Sequence, residues 1–486
     1  MRKDTLMHPS IRLAALAALL VAPAALFAQA NVDQSVLERL RQVEQQQRTG
    51  LESTEGYLHQ TGSGRNLEGY GAWISDTYID FQDDIHNRFK PDLIKSLDLR
   101  DLRLWYTFQI GDKFTGYFRA KTQNYDFTMG SGVAKPDFFQ LQPVDLDLGY
   151  LEYRIDPLQK VRVGRQFIQV GRGFTLADNL DGVDYRATFT KKLAGWDAEA
   201  FWGTTPNREF NIDDSIIGFN HGDTRRDFGF LEANYTHHSG NRYYAYHEFQ
   251  TDSSATESLT QRAQDFHYNS NYTGVGANIR PNQDLLILTE GGFEGGSTRT
   301  DALGGARVDV SAEFFEALGL YTLSQYHNNA LVQAEYLWGS GDANRKNVVD
   351  SFGGKQDLSK DQNFLYFGRF DTGLALSPRL SNLHILRAGF QESLRMNGPR
   401  VHATDPLVGI KFTEYWKEHI AGAISDTLAT GNGKHVGDAA DMYLAWRIWS
   451  DTVLNVQYGH FKPGNAYPEG TRSGTDRYVV STTLSF

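Results

Sequence analysis

The chain contains no cysteine, has only 13 prolines in 486 residues, and carries no long apolar run beyond its first thirty positions. The lack of cysteine excludes a disulfide framework, thiol catalysis, haem attachment through CxxCH and a zinc–thiolate site. Proline is too sparse to mark a linker, and no linker-like stretch divides the chain. Without a run approaching the roughly 20 apolar residues a membrane helix needs, no such helix follows the N-terminus. Basic residues are also short: 48 Lys and Arg against 59 Asp and Glu leave a formal charge of −11. That balance argues against nucleic acid as the main partner. Two residue classes are abundant instead, with 47 glycines, and 24 Tyr and 30 Phe among the aromatics.

The N-terminus reads as an export signal. Arg2, Lys3 and Arg12 form a basic start, Leu13 to Phe27 an apolar stretch, and Ala28-Gln29-Ala30 a small-residue cleavage site. Residues 1–30 are therefore assigned as a signal peptide, which sends the chain beyond the inner membrane. Residues 31–64 are assigned as a short periplasmic leader, helical or disordered. Val36, Leu40, Val43 and Gln47 make a brief 4,3,4 seam there, too short for a free helix to be more than marginal.

Residues 65–486 alternate with period two. Leu102, Leu104, Tyr106, Phe108 and Ile110 oppose Arg103, Trp105, Thr107 and Gln109. Val308, Val310, Ala312 and Phe314 oppose Arg307, Asp309, Ser311 and Glu313, and Val408, Ile410 and Phe412 oppose Gly409, Lys411 and Thr413. A soluble sandwich shows the same alternation. Three further features favour a membrane barrel. Connectors alternate between short ones, such as Gly111-Asp112-Lys113, and long ones, such as Asp126–Asp145, Thr204–Arg226 and Gly339–Gln362. Outer-membrane barrels place short turns in the periplasm and long loops outside. Aromatic residues recur near strand ends, as interfacial girdles require. The chain ends on Tyr478, Val480, Thr482, Leu484 and Phe486 along one face, which resembles the C-terminal signal read by the barrel-insertion machinery. The expected fold is all-β: a closed transmembrane antiparallel β-barrel of about 18 strands, since a sheet in lipid must pair every edge. The strand count is least determined over 362–405, where Phe364–Leu376 is either a strand or part of a long outer loop; an even count favours the loop. Localisation in the Gram-negative outer membrane follows, with lipid and lipopolysaccharide as surroundings.

Val161-Arg162-Val163-Gly164-Arg165-Gln166, Leu180-Asp181-Gly182-Val183-Asp184 and Ala198-Glu199-Ala200-Phe201 resemble the alginate export family of outer-membrane porins. The later motifs Leu380-Ser381-Asn382-Leu383, Lys411-Phe412 with Tyr415-Trp416, and Phe461-Lys462-Pro463-Gly464-Asn465-Ala466-Tyr467 carry the resemblance more specifically. It implies a monomeric eighteen-stranded barrel that passes an anionic polysaccharide through an arginine-lined constriction. Arg103 and Arg165 match pore arginines, and Arg379 stands near one. Where the family carries others, this chain has Phe167, Asn455 and Gln457. From alternation, Arg307, Lys411 and Arg477 join Arg103 as candidate pore-lining residues, against Asp309 and Glu313. Arg165 shares parity with Val161 and Val163, so it lines the pore only if a bulge at Gly164 turns it inward.

No catalytic residue, metal ligand or cofactor is expected. His237 and His238 are adjacent in a turn, and neighbours on a strand face opposite sides. Asp213, Asp214 and Asp223 lack calcium-loop spacing. No GxSxG elbow supports a barrel enzyme, and the glycine pairs at Gly291 and Gly295 lack the GK[ST] of a phosphate loop. The readings that stay open are a saccharide or small-solute channel, a trimeric anion-selective porin, and a barrel enzyme.

Overall fold

The computed structural model describes residues 59–61, 67–89, 94–129, 144–189, 195–206, 226–252, 268–300, 306–323, 330–348, 352–396 and 405–486. The signal peptide, most of the leader, and the acidic loop at Asp213, Asp214 and Asp223 lie outside the described residues. The strands run β1 His59–Thr61, β2 Leu67–Asp83, β3 Ile94–Ile110, β4 Phe114–Met129, β5 Asp145–Asp156, β6 Gln159–Gln169 and β7 Ala177–Thr188. They continue with β8 Gly195–Thr204, β9 Arg226–Thr236, β10 Arg242–Asp252, β11 Asn269–Ile279, β12 Leu285–Thr300, β13 Arg307–Thr322 and β14 Leu331–Gly339. The last six are β15 Phe352–Lys355, β16 Leu383–Ser393, β17 Leu407–Lys417, β18 His435–Arg447, β19 Thr452–Pro463 and β20 Thr475–Ser485. One six-residue helix, α1 (Asp84–Phe89), links β2 to the approach of β3.

Eighteen of these strands, β2–β14 and β16–β20, form an antiparallel barrel. It closes where β2 pairs with β20 from Trp73↔Ser485 to Asp83↔Thr475. The terminal residue completes the seam, because Ala72 and Phe486 exchange both backbone hydrogen bonds, at 2.7 and 3.0 Å. The two remaining strands are accessories. β1 pairs with β2, so the described part of the leader is extended. β15 pairs parallel to the end of β12.

Alternation sorts the side chains as lipid demands. Leu104, Val163, Val183, Leu231, Val275, Phe293 and Phe412 are exposed on the outside, and Arg103, Glu290, Glu316 and Arg387 are buried on the inside. Apolar side chains that would cost free energy in water meet hydrocarbon here. No helix among the described residues is long and apolar enough to cross a membrane.

β14 pairs directly with β16, so the described residues 340–348 and 352–382 leave the barrel ladder as one excursion, which pairs with the sheet again through β15 at the end of β12 and through isolated bridges. Phe364–Leu376 is thus loop, not strand, and it folds into the barrel. Phe364, Leu365, Tyr366, Phe367, Leu376 and Leu380 join a buried cluster with wall residues Phe228, Tyr272, Phe314 and Tyr415. Leu374 packs instead with Ile79, Phe81, Leu97 and Val479 from the far side of the barrel. The excursion carries its own buried ion pairs, Arg345–Asp361 at 2.7 Å and Lys355–Asp342 at 2.6 Å. It is a folded strap across the lumen.

The strap reverses one expectation from alternation. Val308, Val310, Ala312 and Phe314 are buried toward the interior, and Arg307, Asp309, Ser311 and Glu313 face out. The sequence pattern assumed a watery interior at every height. Here the inner neighbour is the strap, with Phe314 stacked on Phe364 at 4.9 Å, so the apolar parity turns inward.

Candidate functional site

The candidate site is the interior of the barrel. Arg103 points inward from β3 and is buried at 4% exposure. It donates to Asp101 at 2.7 Å and to Asp147 at 2.8 Å, and Arg119 from β4 donates to the same Asp147 oxygen at 2.6 Å. Its guanidinium also lies 5.4 Å from the Trp73 ring. Two arginines and two aspartates form one buried network, so Arg103 is a held charge rather than a free one. Lys411 projects inward from β17 and meets strap residue Asp371. Arg477 is buried on β20, 4.8 Å from the ring of Phe81. Arg379 lies in the strap, 5.7 Å from the ring of Tyr366.

Two of the expected residues stand elsewhere. Arg307 is exposed on the outward parity of β13 and donates to Ser297. Gly164 does adopt φ of +123°, but its strand pairs with both neighbours without a register shift there. Arg165 therefore stays on the face of Val163, paired through two nitrogens with Asp181 at 2.8 and 3.0 Å.

The larger part of the interior chemistry was missed in the sequence. From β9 to β14 the inward positions carry Glu232, Glu248, Glu290, Glu294, Glu316 and Glu335, all buried. Glu290 and Glu316 lie directly opposite each other, as do Glu199 of β8 and Glu232. Like charges in such positions repel, and the structure answers with cations and N–H groups. The turn between β6 and β7 dips inward, with φ of +54° at Gly171 and +87° at Gly173. Its Gly171 N–H donates to Glu232 at 2.9 Å and its Arg172 N–H to Glu290 at 2.7 Å. The Arg172 guanidinium takes both oxygens of Glu316, at 2.5 and 2.8 Å. A Cβ at position 171 would meet the Glu290 carboxylate at 2.6 Å, and the left-handed backbone there favours glycine. Arg172 is outside the strands. Burial disfavours its charge, yet Glu316 outweighs this and holds the pKa above its ordinary value.

The opposite side of the barrel carries Arg387, Lys411, Arg477, Arg103 and Arg119, interleaved with Asp441, Asp101 and Asp147. Arg387 reaches Glu335 at 2.8 Å, the junction of the two sides. Inward cations on the acidic side sit near its ends, where Arg226 meets Asp252 and Arg242 meets Glu232. The interior thus has an acidic wall facing a mixed wall rich in guanidinium groups.

The strap is tied to both walls. Glu294 accepts the Leu365 N–H at 3.0 Å, and Tyr272 donates to the Leu365 carbonyl at 2.6 Å. On the other side Asp371 lies 2.9 Å from Lys411 and 3.6 Å from Arg387. The Leu380-Ser381-Asn382 motif ends the strap. Asn382 adopts φ of 57°, and its side chain bonds the backbone of His419 and Ala423 at 2.7 to 3.1 Å. Tyr467 of the Phe461–Tyr467 motif is fully buried and donates to Asp426 at 2.7 Å, and His86 of α1 meets the same carboxylate at 3.0 Å. These motifs shape the outer loops, not the pore lining.

A family model described as alginate export matches residues 77–481. None of the curated proteins compared matches the chain. Solved structures share the architecture. OpdK of Pseudomonas aeruginosa, solved with vanillate, aligns at TM-score 0.51 and 11% identity, covering 86% of this chain and 99% of that one. OccAB3 of Acinetobacter baumannii aligns at 0.52 and 11%, with 86% and 99% covered. OccK11 of Pseudomonas aeruginosa aligns at 0.51 and 10%, with 86% and 96% covered. At such identities the likeness is one of fold.

Proposed function

Because this chain belongs to the alginate export family of outer-membrane channel proteins, we propose that it is a passive channel for small hydrophilic solutes, anionic saccharides among them. The observation that carries this reading is the pair of unlike walls: the carboxylates from Glu232 to Glu335 face a wall holding Arg387, Lys411 and Arg477. Fixed charges of opposite sign across a lumen create a transverse field that orients polar solutes and lowers their barrier to entry. The strap supports short solutes over a continuous polymer, because residues 362–382 occupy lumen that a polymer chain would need. Residues 1–30 act as the export signal, Phe486 as the insertion signal, and the barrel works as a monomer in lipopolysaccharide-bearing membrane.

Proteoliposome swelling tests the proposal. Hexoses and hexuronates enter vesicles that contain the protein, and do not enter protein-free vesicles. Failure of both sugar classes to enter, with the barrel verified as folded, would overturn it.

A further inference from the structure

At the outer rim, on the outward side of the barrel, β17 and β18 bring together three ligating side chains that the channel does not use. Glu414 and Asp438 lie directly opposite each other in the ladder, on the face that carries exposed Phe412. Two carboxylates in that relation repel. Lys462 of β19 faces Asp438 in the ladder, but among the described residues it forms no ion pair with it. The third group arrives through an irregularity. The pairing slips between Tyr415 and Trp416, which brings Trp416 opposite His435, and Gly437 takes φ of +150°. Such bulges re-aim side chains. Here the slip directs the His435 imidazole toward both acids, with Nε2 3.2 Å from Asp438 and 3.7 Å from Glu414.

The surroundings fit a built position for that ring. Gly464, from the Phe461–Tyr467 motif, packs behind it, and a Cβ there would come within 2.5 Å of Nδ1. The Asn465 side chain accepts the His435 N–H at 3.0 Å. The three ligating atoms all lie within 4.8 Å of one another. A tetrahedral zinc ion bound at about 2.0–2.2 Å separates its ligand atoms by roughly 3.4 Å, and the two distances to Nε2 bracket that value. The side chains are 31%, 44% and 58% exposed for His435, Glu414 and Asp438, so a fourth position opens to solvent.

The geometry points to a divalent transition-metal site formed by Glu414, His435 and Asp438, with Zn²⁺ the ion its donors suit. An imidazole with two carboxylates favours zinc over calcium or magnesium, which take oxygen ligands in larger number. The two facing carboxylates and the histidine re-aimed by the bulge then have one purpose in common. The ion cross-links two strands at the base of the 418–434 loop.

The test is calorimetric titration of the full-length, chelator-treated protein in detergent with Zn²⁺, with Co²⁺ absorption as a second readout. Wild type binds a single saturating Zn²⁺, and excess Ca²⁺ does not displace it. Even an outer-shell partner costs about 10- to 100-fold in affinity when lost, so His435→Gln and Asp438→Asn weaken binding at least roughly tenfold. Heat-modifiable gel migration reports folding of each variant, and the exposed Asp438 carries the test if His435→Gln does not fold. No saturable binding by folded wild type would overturn the proposal. So would binding that folded Asp438→Asn retains in full.

Discussion

Asp371 Oδ2 lies 2.9 Å from Lys411 Nζ, and this contact fastens the inner strap to the barrel wall forty residues further along the chain. Arg387 stands behind it at 3.6 Å. Burial opposes ionisation of Asp371, but Arg387 and Lys411 outweigh it and hold the carboxyl well below the usual carboxylate range. A depressed carboxylate stabilises the fold above its unfolded pKa of about 3.9 and loses that contribution as pH falls through the lower folded value. The strap is therefore fastened throughout the neutral and mildly acidic range. Asp371→Asn releases it, and single-channel recordings at neutral pH show larger or more frequent open-level fluctuations than wild type. Identical traces for the two proteins would count against a fastened strap.

The tie between His86 and Asp426 has the opposite pH dependence. Burial works against the imidazolium, yet Asp426 and Asp83 raise its pKa to about 9. A raised histidine contributes fully below its unfolded value of about 6.5 and loses the contribution as pH rises through about 9. The melting temperature of the wild type should fall between pH 7 and 10 by more than that of His86→Gln. Parallel slopes in thermal melts of the two proteins would contradict this.

Removing Arg103 should cost stability before it alters selectivity. Its partners Asp101 and Asp147 are buried, and stripping the cation from such a network costs about 3–5 kcal/mol. Arg103→Met should unfold at lower denaturant, or migrate as unfolded barrel at lower temperature, than wild type. Unchanged stability with changed ion selectivity would show that Arg103 faces open lumen instead.

Asn382 combines a left-handed backbone with side-chain bonds to His419 and Ala423. Asn382→Gly keeps the backbone and loses the bonds, while Asn382→Ala loses both. Each lost buried hydrogen bond leaves a group unsatisfied at about 1–3 kcal/mol. Alanine should therefore destabilise more than glycine in urea melts. Equal effects would assign the position's role to hydrogen bonding alone.

Much of the barrel was legible in the sequence, because lipid imposes one simple rule on outward positions. The alternation at Leu102–Ile110 and Leu407–Tyr415, the alternating connectors and the aromatic C-terminus each follow from it. The same rule failed at Val308–Phe314, where the inner neighbour is a strap 50 or so residues further on rather than water. The interior network was hidden for a related reason. Arg172 sits between two glycines in a short turn, and nothing local says that the turn dips 118 residues across the chain to Glu290. The glutamates themselves were readable: Glu290, Glu294 and Glu316 share the inward parity of their strands, and a tally of that parity would have found the acidic wall. Two of the family motifs lead away from the lumen, since Asn382 and Tyr467 order the outer loops, while Lys411 of a third points into it.

In the proposed channel the unlike walls govern passage, with Arg172 masking the Glu290–Glu316 pair. The direct measurement is the planar-bilayer reversal potential in a KCl gradient for wild type, Arg172→Ala and Glu316→Gln. The expected result is a conducting channel whose selectivity moves toward cations in Arg172→Ala and toward anions in Glu316→Gln, with both shifts shrinking at high salt as screening sets in. A folded protein that does not conduct, or three indistinguishable reversal potentials, would contradict it.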